Sequence, residues 1–137
     1  MINFIIVTHG EFGAYLMEAA ESIVGRQAEG VRVIPISSRL SVAEIRERIR
    51  RAVAELRGGD GLVLFTDMPG GTPSNLAFPL VQDMPNVEMV TGVNLYMLVS
   101  AFSRRCDCAL PELVAKVIAD GQRCICDVRS RFLARRG

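Results

Sequence analysis

The sequence predicts an α/β fold with an open, mainly parallel sheet flanked by helices. Three observations predict it. Short apolar, β-branched runs recur along the chain, a stretch with helical spacing follows nearly every one, and several runs are apolar without alternation, as strands covered on both faces must be. At 137 residues the chain has the size of one domain, 1–137, long enough to bury a core without disulfide or metal.

The elements follow in order. Ile2 to Val7 reads as a buried strand. From Phe12 the apolar positions Phe12, Leu16, Ala19, Ala20 and Ile23 take helical spacing and stop at Gly25. Val31 to Ile36 is a second strand. The helix after it starts at Ser41 with Glu44 three residues on, a capping box, and carries the stripe Val42, Ile45, Ile49, Val53, Leu56. Its "RERIRR" segment mixes acids with arginines on the opposite face, the pattern of a solvated surface and not of a nucleic-acid site. Leu62 to Thr66 is the most hydrophobic strand and ends at Asp67. "MPGGTPSNLAFPLV" is a glycine-rich loop entering a helix, with Thr72 as N-cap and Pro73 in first position. "NVEMVTG" reads as a fourth strand and "VNLYMLVSAFSR" as a helix. A further helix, Pro111 to Ala119, is expected to stop near Gly121, with "RCICDVRS" as a last short strand and "RSRFLARRG" as a loosely held basic tail.

Bulk properties exclude several classes. No apolar run approaches the length needed to cross a bilayer, and the start lacks the basic residues of a signal peptide. A soluble, cytoplasmic protein is expected. A net charge of +1 steers it toward neither nucleic acid nor a membrane.

His9 is the only histidine, at the end of the first strand and just before Gly10. In an open parallel sheet, ligands bind beyond the carboxyl ends of strands where strand order reverses. If the order begins 2-1-3, the loops "THGEFG" and "TDMPGGTPSN" flank that crevice, and His9 faces Asp67. A carboxylate on one imidazole nitrogen leaves the other as a nucleophile. Gly70 and Gly71 let backbone approach a captured anion, Thr72 offers a hydroxyl, and Gly10 precedes a second helix start. These parts suit capture of a phosphoryl group. The bland alternative, a surface histidine and a turn-forming aspartate, stands beside it.

"IIVTHGEFG", "GLVLFTDMPGGTPSN" and "VTGVNLYMLV" together resemble the mannose-type enzyme IIA components of the bacterial phosphoenolpyruvate-dependent sugar phosphotransferase system. The resemblance covers nearly the whole chain. It implies that His9 is the phosphoryl acceptor, that Asp67 orients it, and that Thr72 contacts the phosphate. It further implies the sheet order 2-1-3-4, a homodimer exchanging a last, antiparallel strand over "CICDV", histidine-phosphorylated HPr as donor, and a mannose-type IIB protein on a separate chain as acceptor. Pro69 departs from the large apolar residue common there. A runner-up is a regulatory phosphoprotein-binding module of the same fold, uncoupled from sugar transport. A third reading is a flavodoxin-like or receiver-like domain phosphorylated on Asp67; a phosphohistidine survives alkali and fails in acid, whereas an acyl phosphate is labile to both.

No cofactor is expected. Cys106, Cys108, Cys124 and Cys126 form two C-x-C pairs. Zinc usually takes C-x₂₋₄-C spacing, and cytosolic disulfides are rare, so Cys124 and Cys126 are read as small buried residues of the last strand, with no metal.

Overall fold

A computed structural model describes residues 1–134. Four strands, β1 (Asn3–His9), β2 (Val31–Ile36), β3 (Leu62–Thr66) and β4 (Val87–Val90), form one sheet of order β2-β1-β3-β4. Every pairing is parallel. The helices are α1 (Phe12–Val24), α2 (Val42–Leu56), α3 (Thr72–Val81), α4 (Leu95–Arg104), α5 (Leu110–Arg123) and α6 (Val128–Ala134).

The period of two along a strand sorts the core into two halves. Phe4 and Ile6 of β1 and Val63 and Phe65 of β3 pack with α1, α4 and α5, where Phe4 meets Phe65 and Phe102 at ring-centroid distances of 5.8 and 5.7 Å. Ile5 and Val7, with Leu62 and Leu64, pack on the other face against Ile45, Ile49 and Val53 of α2 and Ala77 and Val81 of α3. All five residues of β3 are buried, which explains its unbroken apolar text. The capping box of α2 forms as its spacing predicts: Ser41 Oγ accepts from Glu44 N and the Glu44 carboxylate accepts from Ser41 N. On the solvent face Glu47 takes up Arg50 and Arg51, so two of the segment's four arginines are paired along the helix itself.

Several expectations change. The N-cap of α3 is Gly71, one residue before the predicted Thr72, because Gly71 keeps extended backbone while Thr72 has already entered the helix with Pro73 behind it. Gly121 does not stop α5, which runs on to Arg123; a Cβ at Gly121 would overlap the Met97 side chain, so this glycine serves close packing of α5 on α4. The last strand over "RCICDVRS" is not formed within the chain. Asp127 Oδ2 accepts from Ser130 N at 2.8 Å, turning the segment into α6. Cys124 and Cys126 are consequently exposed and not buried. The described part of the expected loose tail is helical, and residues 135–137 lie outside the described region.

At the amino end of the sheet, buried Arg105 donates to the carbonyls of Ile2 (3.0 Å) and Gly30 (3.3 Å) and to Gln27 Oε1 (3.0 Å), and lies 5.2 Å from the Phe4 ring centroid. It ties the end of α4 to the starts of β1 and β2. Arg105→Leu leaves these acceptors without their donor and is expected to cost about 3 kcal/mol in urea unfolding; a loss below about 0.5 kcal/mol would show that the tie is dispensable.

Candidate functional site

β1 and β3 lie side by side, with Val7 opposite Thr66. Their carboxyl ends, and the loops that follow, therefore open at the same edge of the molecule. α1 leaves β1 toward one face of the sheet and α3 leaves β3 toward the other, which makes this the crevice of the fold.

His9 and Asp67 meet in it. Asp67 Oδ2 accepts from His9 N at 2.9 Å and stands 2.7 Å from His9 Nδ1, while Asp67 Oδ1 accepts from Met68 N at 3.0 Å. The Asp67 side chain is 11% exposed and that of His9 51%. Burial pushes the Asp67 carboxyl up, but the bonds from the His9 amide and ring and the charge on that ring more than offset it, and the carboxyl sits below its ordinary value. An anionic Asp67 fixes the neutral ring as the Nδ1–H tautomer, leaving the Nε2 lone pair free.

The glycine loop closes on the same ring. A Cβ built on Gly71 would lie 3.0 Å from His9 Cε1 and 3.6 Å from Nε2, so only glycine brings backbone this near without pressing on the imidazole. Gly70 has φ +75°, and Asn75 binds the loop by donating from Nδ2 to Gly70 O (3.1 Å) and from N to Gly71 O (2.9 Å). No side chain caps α3, and Thr72 is exposed beside its start. Gly10, at φ +51°, donates to Ile36 O at 2.9 Å and turns the chain into α1.

Sequence reasoning missed the hydroxyls behind these residues. Thr8 and Thr66 are fully buried, and each immediately precedes a site residue. Thr8 Oγ1 accepts from Gly13 N at 2.8 Å and so seats α1; a Cβ on Gly13 would come within 2.9 Å of Ile6 Cγ2. Thr66 Oγ1 lies 2.7 Å from Ser74 Oγ, inside α3. The available signal was the repeated pattern of an apolar run closing in threonine followed by a titratable residue, in "VTH" and "FTD". Among the described residues no three His, Cys, Asp or Glu side chains converge to hold a metal ion, and the four cysteines are free.

Fold and site together define a parallel α/β domain that presents one carboxylate-held imidazole at its switch point. The family model EIIA-man, described as PTS system fructose IIA component, matches residues 3–118. The chain belongs to that family. It is 32% identical over 122 residues to the PTS system mannose-specific EIIAB component of Escherichia coli (strain K12), a match covering 88% of this chain and 38% of that protein's length. It is 28% identical over 123 residues to the PTS system fructose-specific EIIA component of Bacillus subtilis (strain 168), covering 90% of this chain and 84% of the relative. The crystal structure of phosphotransferase system component EIIA from Streptococcus agalactiae superimposes with a TM-score of 0.85 at 31% identity, covering 95% of this chain and 99% of that one. The PTS IIA protein associated with the fucose utilization operon of Streptococcus pneumoniae shares the fold, with a TM-score of 0.87 at 23% identity over 96% of each chain.

Because the Asp67 carboxyl is held below its unfolded value, its ionised form contributes stability above about pH 4 that is lost as pH falls through the lowered folded value. Urea unfolding should show Asp67→Asn less stable than the native chain at pH 7, with the gap closing as pH falls below about 4. A gap that stays constant as the pH falls would mean the carboxylate charge contributes nothing.

Proposed function

We propose that this chain is a cytoplasmic phosphocarrier in which His9 takes a phosphoryl group from histidine-phosphorylated HPr and passes it to a mannose-type IIB protein, for sugar uptake and phosphorylation. The observation that carries the reading is the 2.7 Å contact between His9 Nδ1 and Asp67 Oδ2 on a ring that is half exposed. Family membership, and the sugar-specific phosphotransferase names borne by the relatives, support it.

The step balances without a cofactor. The Nε2 lone pair forms an N–P bond as the donor's P–N bond breaks and its electron pair returns to the donor nitrogen. His9 then carries hydrogen on Nδ1 and phosphoryl on Nε2, a cationic ring whose charge the Asp67 carboxylate opposes. Phosphoryl oxygens beside Nε2 would meet the Gly71 backbone, the Thr72 hydroxyl and the uncapped start of α3. Delivery to IIB is the same exchange run outward. Among the described residues no helix is long and apolar enough to cross a membrane, in keeping with a carrier that works beside membrane components.

Intact-mass measurement after mixing the chain with phosphoenolpyruvate, enzyme I and HPr should show one added phosphate, absent from His9→Ala. Asp67→Asn should slow loading by about tenfold or more, as the tautomer and the opposing charge are lost. Phosphate retained on His9→Ala, or no phosphate on the native chain while HPr is charged, would overturn the carrier reading in favour of a binding module.

The homodimer belongs to the same proposal. Ile125, Val128, Phe132 and Leu133 are all more than half exposed, at 80, 61, 57 and 56%, an apolar run at odds with a solvated tail. β4 also forms one edge of the sheet. Light scattering should return twice the mass of one chain, and deletion of residues 124–137 should return the single mass; a native monomer would remove the dimer from the proposal.

A further inference from the structure

The loop between Asp67 and α3 has to keep two contacts at once, the carboxylate on Nδ1 and the Gly71 backbone beside the ring. Its own side chains do little to hold it. Met68 is 52% exposed, and Pro69 and Gly70 are exposed. Asn75 secures the far end of the loop through Gly70 and Gly71. The near end, next to Asp67, depends on Ser74.

Ser74 is buried at the start of α3, and its hydroxyl donates to Met68 O at 2.9 Å. Met68 N in turn donates to Asp67 Oδ1. Met68 is thus bonded through both its amide and its carbonyl, one to the carboxylate that holds His9 and the other to Ser74. Behind Ser74 stands fully buried Thr66, whose Oγ1 lies 2.7 Å from Ser74 Oγ and 2.8 Å from Thr91 Oγ1. Thr66 is anchored by its backbone as well, since its carbonyl accepts from Val93 N at 3.0 Å. The hydroxyls therefore link a rigid core strand to the carbonyl of Met68, the residue whose amide adjoins the Asp67 carboxylate.

We propose that Ser74, supported by Thr66, is a positioning residue for His9: its grip on the Met68 carbonyl holds the Asp67 carboxylate on Nδ1 and the Gly71 backbone beside the ring. As a statement about transfer it rests on the phosphocarrier reading above. As a statement about the ring it stands on geometry alone. With the hydroxyl removed, the Met68 carbonyl loses its anchor, the residue can shift so that Met68 N leaves Asp67 Oδ1, and the carboxylate can turn away from Nδ1. The ring then populates the Nε2–H tautomer, whose Nε2 has no free lone pair.

The test compares Ser74→Ala, Thr66→Val, which keeps the shape of threonine without its hydroxyl, and Thr66→Ser, which keeps the hydroxyl. Nitrogen-15 NMR of the His9 ring reads the tautomer, and rapid-quench loading from phospho-HPr reads transfer. In Ser74→Ala and Thr66→Val the share of Nδ1–H should fall and loading should slow by about tenfold to a hundredfold, the scale of a small misplacement of reacting groups. Thr66→Ser should restore both. A native tautomer in both hydroxyl-free variants overturns the proposal, including when the variants are less stable, because a purely structural role lowers stability without moving the ring proton. If the native chain takes no phosphate from charged HPr, the carrier reading fails by itself, and the tautomer comparison still decides what Ser74 does.

Discussion

Everything at the site depends on the parallel ladder between β1 and β3. With Val7 opposite Thr66, the ladder between them stops two residues before His9 and one before Asp67, so both side chains stand at the same end of the sheet. His9 and Asp67 meet there through two bonds to one carboxylate oxygen, from the backbone amide and from the ring. A shift of one residue in this register would turn every inward side chain of β1 to the other face and separate the pair. The core that holds the register, Phe4, Ile6, Val63 and Phe65 on one side and Ile5, Val7, Leu62 and Leu64 on the other, is therefore also what sets the site.

The two helices at the crevice are seated by the same device. Thr8 precedes His9 and takes the Gly13 amide of α1; Thr66 precedes Asp67 and meets Ser74 of α3. A buried threonine at a strand's end satisfies polar groups that would otherwise go unpaired where helix and sheet converge, and among the described residues no buried side-chain nitrogen or oxygen lacks a partner. Placement of the His9 ring is thereby coupled to the packed core on both faces of the sheet.

Legibility of the fold tracked how local the determining interactions are. β2 and β3 fall on the residues their apolar text marks, and the α2 capping box is a contact between residues three apart. Sequence pattern failed where a distant contact decided the outcome. Gly121 reads as a helix stop, yet it lies inside α5 because Met97 needs the space. "CICDV" has the β-branched and cysteine-rich text of a strand, but it has no neighbouring strand within the chain, and Asp127 starts a helix instead. The N-cap of α3 moved by one residue because glycine, and not threonine, holds the extended conformation beside the ring.

The sequence by itself determined the α/β class, most of the elements, and the residue types that a phosphoryl carrier would need, because periodicity, capping and turn chemistry act over a few neighbouring residues. The motifs around His9, Asp67 and Gly70–Gly71 also sufficed for the family. Tertiary structure alone decided that Asp67 bonds Nδ1 and leaves Nε2 open, that Gly71 closes on the ring, and that Thr8, Thr66 and Ser74 support them. Those facts are distances between atoms far apart in the chain, and they exist only once the two strands are side by side and both faces of the sheet are covered.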